Sequence, residues 1–430
     1  MADLSVFEQN ESAVRSYSRN FPVVFDRARG ALLWDEDDRQ YIDLLSGAGT
    51  LNYGHNPPSL KRTLVEYIAN DRITHGLDLA TVAKRRFIET FTSVILHPRG
   101  LDYRLQFTGP TGTNAVEAAL KVARQATGRS NVVAFTNSFH GVSVGSLAVT
   151  ANRKYRSAAR TGLGDASFLP YDGYLGAGTN TLEYLRKLLD DPSGGLDMPA
   201  AVIVETVQGE GGLNAASNGW LQELQALCRL HEIILIVDDI QAGIGRTGSF
   251  FSFEDAGIVP DIVILSKSLS GYGLPMSLVL IRPDLDVWQP GAHSGTFRGN
   301  NLAFECAAEA IEQFWTTDEF ERATRNKGLV VFEELQRLAL LYPDAGLQVR
   351  GRGLMIGLAS TSRPKLAGEV SRLAFERGVI VETSGGKGEV LKLLPPLMIE
   401  DDLLTSALAA IGQSLHDAVE GRTAERSPAA

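Results

Sequence analysis

The sequence predicts an α/β fold built on a mostly parallel sheet, with a smaller α+β unit beside it. Two textures point there. Between about residues 105 and 285, short apolar runs alternate with helix-length segments: Val132-Val-Ala-Phe135, Ala201-Val-Ile-Val204, Ile233-Ile-Leu-Ile-Val237, Ile262-Val-Ile-Leu265 and Leu278-Val-Leu-Ile281. Aliphatic and β-branched runs of this length read as strands buried on both faces, and their alternation with helices reads as parallel crossovers. Beyond about residue 300 the periodicity turns helical over 302–315 and 319–341. Strand-like pieces follow at Leu354-Met-Ile-Gly357, Val379-Ile-Val381 and Val390-Leu-Lys-Leu-Leu394, and then a last helix to about Val419.

The first seventy residues are mixed. A strand-like Ala31-Leu-Leu-Trp34 meets a turn at 35–38, Tyr41-Ile-Asp-Leu-Leu45 follows, and a loop rich in Gly, Asn and Pro runs to Pro58. Helical spacing returns over 60–67 and 81–94. This N-terminal part is expected to join the C-terminal unit. The division is then 1–70 and 306–430 for a small domain and 71–305 for a large one. The tail from Gly421 reads as frayed.

Composition narrows the function classes. The 430 residues carry 41 Lys and Arg against 51 Asp and Glu, a net charge of −10. That balance argues against nucleic acid or an anionic membrane as the main partner, since both call for basic patches. Cys228 and Cys306 are too few and too far apart for a disulfide framework or a Cys-x-x-Cys metal site. The start has no basic segment followed by an apolar one, and no run approaches the ~18 apolar residues of a membrane span. A cytoplasmic location is expected.

In open α/β sheets, ligands sit outside the carboxyl ends of the strands. Three of the predicted strands end there in a charge: Glu205, Asp238 and, past Ser266, Lys267. Asp238 and Asp239 are adjacent, so on an extended chain only one faces the same cleft. Such a pair of acids suits a cation to neutralise; no His lies close enough in sequence for a metal cluster, and carboxylate-bound Mg²⁺ stays open at this point. Lys267 is open to two readings, a snorkelling surface residue or an amine of lowered pKa. Gly109-Pro-Thr-Gly112-Thr113 opens a strongly helical segment. It is either a plain capped turn or an anion site in which Gly112 lets the backbone approach and Thr113 adds a hydroxyl. Gly243-Ile-Gly245-Arg-Thr-Gly248 matches the dinucleotide glycine pattern literally. Five residues separate it from its strand, however, no amphipathic helix follows, and the next strand ends at a Lys rather than an acid.

Together, an anion-cradling helix start, a strand-end carboxylate, a strand-end Lys and an aromatic beside a loop (Phe139-His140-Gly141) are what pyridoxal phosphate requires. At this point the chain resembles the class III pyridoxal-phosphate aminotransferases of fold type I, over roughly 7–419. The resemblance rests on Ile236-Val-Asp-Asp-Ile-Gln-Ala-Gly-Ile-Gly-Arg-Thr-Gly248 and Pro260-Asp-Ile-Val-Ile-Leu-Ser-Lys-Ser-Leu-Ser-Gly-Tyr-Gly-Leu-Pro275, and it absorbs the decoy glycine pattern. It implies that Lys267 is the Schiff-base lysine and proton shuttle, Asp238 the partner of the pyridine nitrogen and Gln241 a donor to the ring hydroxyl. Gly112 and Thr113 would hold the phosphate, Phe139 would stack on the ring with His140 beside it, and Glu205 would lie at the cofactor. Thr296 matches a threonine that reaches the phosphate of a neighbouring subunit, which implies a homodimer or higher homo-oligomer. Thr206 stands where the family usually has proline.

Leu51-Asn-Tyr-Gly-His55, Glu205-Thr-Val-Gln-Gly-Glu-Gly-Gly212, Gly295-Thr-Phe-Arg-Gly-Asn-Asn301 and Lys392-Leu-Leu-Pro-Pro396 resemble one subgroup more closely. Its members move the amino group of L-glutamate to aspartate 4-semialdehyde, giving 2,4-diaminobutyrate and 2-oxoglutarate for ectoine, siderophore or peptide-antibiotic pathways. The alternative within the family is an ornithine, 4-aminobutyrate or related ω-amine enzyme. Relatives of the ornithine type carry Arg where this chain has Lys392, a point charge without the bidentate fork. Arg298 is therefore expected as the substrate carboxylate anchor, with a dimer-interface ion pair as its alternative. Lys392 is expected to pair with Glu210 as a gate that opens for glutamate. No metal is expected.

Overall fold

The computed structural model describes residues 3–421. Its centre is a seven-stranded sheet of β1 (Arg104–Phe107), β2 (Val132–Phe135), β3 (Ala166–Leu169), β4 (Ala201–Val204), β5 (Ile234–Asp238), β6 (Ile262–Leu265) and β7 (Leu278–Ile281). The strand order is β1-β7-β6-β5-β4-β2-β3. β7 runs antiparallel to both neighbours, and the remaining pairs are parallel. The five apolar runs all form strands, and every residue of those strands is buried. The two strands without such a run, Arg104-Leu-Gln-Phe107 and Ala166-Ser-Phe-Leu169, are the sheet's edges. There one side is less covered and polar residues are tolerated.

The helix Gly112–Thr127 packs one sheet face. Ala115, Val116, Ala119, Leu120, Val122 and Ala123 form a cluster with Val132, Ala134, Ile203, Ile236 and Ile264. Small alanines on this stripe let the helix lie close to the sheet, and Gly128 ends it at φ +68°. The opposite face, with Val133, Val202, Val237 and Leu265, belongs to the larger core that includes Leu221, Leu224 and Phe304.

Both chain ends meet in one four-stranded sheet. Phe25–Arg29, Leu32–Asp35 and Gln40–Asp43 form an antiparallel meander, and Val379–Ile380 adds in parallel, pairing with Ile42 and Asp43. A second, antiparallel sheet holds Leu347–Arg352, Met355–Ser360, Val390–Leu393 and Glu382–Ser384. Its register sets Lys392 directly opposite Glu382. The helix expected over 81–94 begins at Val82 behind its Thr81 cap and passes into a π-turn at Phe91. The last helix runs Asp401–Glu420 and is capped by Gly421. The frayed tail expected beyond it, 422–430, lies outside the described residues.

The glycine pattern at 243–248 is a loop, not a helix start. It carries Arg246, fully buried, whose guanidinium donates to the carbonyls of Leu354 and Pro395 and to Asn52 Oδ1. A Cβ on Gly353 would stand 2.7 Å from the Thr247 carbonyl carbon, so glycine is required where the two segments cross.

Candidate active site

The chemistry-bearing side chains converge because three strands end at one edge. In the register of the sheet Val237 lies beside Val204, and Asp238 lies beside Ile264. Glu205, Asp238 and Lys267 therefore emerge as neighbours at the carboxyl ends of β4, β5 and β6. They border a cavity of about 250 Å³ that is also lined by Gly112, Thr113, Phe139, His140, Glu210 and Gln241. All the residues expected at the site line it except Thr296, Arg298 and Lys392.

Lys267 follows the extended Ser266 in a left-handed conformation, φ +50°, which costs a side-chain-bearing residue on the order of 1–3 kcal/mol. The turn aims its Nζ at the carbonyl of Ala48, 2.8 Å away. Ala48 lies in a run of positive φ from Ser46 to Gly49, so the N-terminal unit presents a carbonyl to Lys267. Burial pulls the Lys267 amine down to about 8, against the opposing pull of Glu210. With its Nζ bonded to the Ala48 carbonyl and its side chain lining the cavity, Lys267 does not snorkel to the surface.

Asp238 accepts from His140 Nδ1 at 2.7 Å and from the Ile240 amide at 3.2 Å. Asp239 points the other way, as strand alternation requires, and bonds the Ser252 amide and hydroxyl. Glu205 accepts from the amides of Phe139 and Gly209, and burial lifts its carboxyl to about 7. Among the described residues no group of three or more His, Cys, Asp or Glu is arranged to hold a metal ion.

The cavity suits pyridoxal phosphate on three structural grounds. A sixteen-residue helix starts at Gly112 on the cavity wall, so its free N–H groups can meet an anion there, and glycine lets Ile240 pack close, since an added Cβ would stand 2.9 Å from its Cδ1. Thr113 Oγ1 lies 2.6 Å from the hydroxyls of Ser143 and Ser146, a cluster of hydroxyls in which Ser143 donates to the Glu117 carboxylate. Buried Gln241 Oε1 has no hydrogen-bond partner, an open polar group on the cavity lining. In this arrangement the Gln241 amide nitrogen donates to the Ala48 carbonyl, so the group it leaves open is an acceptor rather than the expected donor. Phe139, edge-on to Tyr155, forms a wall.

The three outliers differ from expectation in separate ways. Arg298 is not at this cavity. It sits on a one-turn helix, Thr296–Arg298, that packs beside Asp78, and its guanidinium pairs with that carboxylate and with the His293 carbonyl. Within one chain its anchor role is therefore not supported. Thr296 is exposed on the same turn. Lys392 is fully buried behind Glu210, with Nζ 2.7 Å from Glu210 Oε1. Glu382, Tyr17 and the Ala48 carbonyl do not line the cavity but bond to Lys392, to Glu382 and to Lys267 respectively, and sequence reasoning passed over them. Glu382 follows the apolar Val379-Ile-Val381, the same signal that picked out Glu205 and Asp238.

Comparison with known proteins identifies the family. The family model for "Aminotransferase class-III" matches residues 13–415. A diaminobutyrate–2-oxoglutarate transaminase of Bordetella parapertussis is 61% identical over 428 residues, 100% of this chain and 98% of the relative. One from Halomonas elongata is 56% identical, over 96% of this chain and 99% of the relative. Among solved structures, an ornithine aminotransferase from Toxoplasma gondii superposes with a TM-score of 0.84 at 28% identity, covering 97% of this chain and 95% of its own. A second structure of that enzyme is described as having partial occupancy of PLP at its active site.

Proposed function

This chain belongs to the class-III aminotransferases, and on that premise we propose that it transfers the amino group of L-glutamate to L-aspartate 4-semialdehyde, reversibly giving L-2,4-diaminobutyrate and 2-oxoglutarate. Pyridoxal 5′-phosphate is its cofactor. The observation that carries the choice of substrates is the 61% identity, over the whole chain, to a relative named for this reaction. The observation that supports the chemistry is the convergence of Lys267, Asp238 and the Gly112 helix start on one cavity.

Bound in that cavity, the cofactor supplies the carrier for the amino group and the electron sink for the carbon that loses its proton. Gly112 and Thr113 would hold its phosphate, Asp238 its ring nitrogen and Phe139 its ring face. The Asp238 carboxylate, fixed by His140 and the Ile240 amide, would hold a proton on the ring nitrogen. Lys267, with its amine near 8, is partly unprotonated at neutral pH, so it can take a proton from the substrate carbon and return it. Glu205, lifted to about 7 by burial, carries only part of a negative charge near neutrality, where an ordinary carboxyl is fully ionised.

The same reading makes the chain a cytoplasmic homodimer, with residues 1–70 and 306–430 as one small domain against 71–305. Support comes from Leu77, Leu79 and Phe297, large apolar side chains left exposed around Thr296 where segments 75–79 and 295–300 pack together. The pairing of the Gln40–Asp43 and Val379–Ile380 strands supports the domain division, and two buried free cysteines suit a reducing compartment. Among the described residues no helix is long and apolar enough to cross a membrane.

The test is to supply glutamate and aspartate 4-semialdehyde to the cofactor-loaded enzyme and identify both products by mass. Formation of 2,4-diaminobutyrate with equimolar 2-oxoglutarate is expected. Turnover of ornithine or 4-aminobutyrate in preference to 2,4-diaminobutyrate in the reverse direction would overturn the choice of substrate.

A further inference from the structure

Lys392 is met by two carboxylates. Its Nζ lies 2.7 Å from Glu210 Oε1 and 2.9 Å from Glu382 Oε1. Lys392 is 0% exposed, Glu382 5% and Glu210 26% by side chain, and of the three only Glu210 lines the cavity. The second carboxylate is fixed by the fold. Lys392 and Glu382 are direct partners across antiparallel strands, so their side chains share one face. The Tyr17 hydroxyl donates to the other oxygen, Glu382 Oε2, at 3.1 Å. The result is a connected row, Glu210, Lys392, Glu382 and Tyr17, whose first member lines the cavity, whose middle pair is buried and whose last member reaches the surface.

A row of two carboxylates about one ammonium leaves one negative charge uncompensated, and the cavity meets the Glu210 end of it. With a single carboxylate, Lys392 would claim Glu210, and turning Glu210 aside would strand a buried cation. With Glu382 in place Lys392 stays paired whatever Glu210 does. A substrate ammonium beside Glu210 extends the alternation of charge. A substrate carboxylate there faces Glu210, with the Lys392 charge already answered from behind.

We propose that Glu382 is a positioning residue that sets substrate preference: by neutralising Lys392 from behind, it leaves Glu210 to receive the α-ammonium of a diamino acid at the end remote from the reacting carbon. The inference rests on the diaminobutyrate reading and assigns the part of the cavity that distinguishes that substrate from glutamate.

The test compares KM for 2,4-diaminobutyrate, with 2-oxoglutarate as acceptor, and KM for L-glutamate, with aspartate 4-semialdehyde as acceptor, in the holoenzyme. Wild type, Glu382→Gln, Glu382→Asp and Tyr17→Phe are measured. Glu382→Gln should raise the ratio of the diaminobutyrate KM to the glutamate KM by about tenfold or more, the scale of one lost charge-assisted interaction. Glu382→Asp should restore most of the wild-type ratio, and Tyr17→Phe should move it the same way by less. A merely structural role would raise both KM values together, so a Glu382→Gln ratio within about twofold of wild type overturns the assignment. If Glu382→Gln does not fold, an unchanged ratio in Tyr17→Phe overturns it. A wild-type enzyme that turns over glutamate but not 2,4-diaminobutyrate would bring down the substrate reading and this assignment with it, a result distinct from the ratio test.

Discussion

Nδ1 of His140 lies 2.7 Å from Oδ2 of Asp238, and both side chains are out of solvent. Burial alone would lower the His140 pKa, but the hydrogen bond and charge of Asp238 outweigh it and leave the imidazole above its ordinary value. Replacing Asp238 with Ala should lower kcat/KM by about 10²–10³-fold, as for other preorganised electrostatic partners. His140→Gln should lower it less, by about tenfold, because the carboxylate remains but loses a charge-assisted bond. Steady-state kinetics on both variants checks this ordering.

The same pair predicts a pH dependence of stability. A His whose folded pKa is raised contributes stability that is complete below its unfolded value, about 6.5, and that is lost as pH rises through the folded value. Thermal melts of wild type should therefore lose stability above neutrality relative to His140→Gln. Parallel melting curves across pH 6 to 9 would contradict this.

Capture of the cofactor should follow the ionisation of Lys267. Only the unprotonated amine is a nucleophile, and burial brings this one down to about 8. The rate at which the cofactor-free protein takes up pyridoxal phosphate, followed by absorbance, should rise with pH and level off above about 8. An exposed lysine would show a rise continuing towards 10.5.

Gly112→Ala should weaken cofactor binding without unfolding the chain. The new Cβ would stand 2.9 Å from Ile240 Cδ1, at the tip of a side chain, and Gly112 has no positive φ. The neighbour can give, but it shifts the helix start on which the phosphate would rest. A rise of about tenfold in the cofactor Kd is expected, on the order of one lost charge-assisted hydrogen bond. Adding Ile240→Val, which removes Cδ1, should recover much of it.

Arg246→Lys should destabilise the protein by about 2–4 kcal/mol, since one ammonium cannot reproduce a guanidinium that bonds two carbonyls and Asn52 from a fully buried position. Chemical denaturation measures the loss.

What the sequence made legible, and what it hid, divides along a physical line. Where burial on both faces demands uninterrupted apolar runs, as in β2, β4, β6 and β7, the strand bounds read from sequence match the structure. The edge strands β1 and β3 face fewer neighbours, carry polar residues and escaped notice. Glu205, Asp238 and Lys267 were legible as candidates because each is a charge at or just past the carboxyl end of a buried strand, and the resemblance then gave Lys267 its role. The Ala48 carbonyl was not, since a backbone atom leaves no trace in residue identity. The place of Arg298 was equally hidden: a cation in a loop can turn to a cleft or to a nearby acid, and Asp78, some two hundred residues away in sequence, decides it.

The most direct test of the central claim, that the cavity at the ends of β4, β5 and β6 is a transaminase centre built on Lys267, is chemical mapping. The cofactor-loaded protein is reduced with borohydride, digested, and its peptides weighed. The phosphopyridoxyl mass should fall on the peptide containing Lys267 and on no other. Its appearance on Lys392 or on a surface lysine, with Lys267 unmodified, would contradict the account.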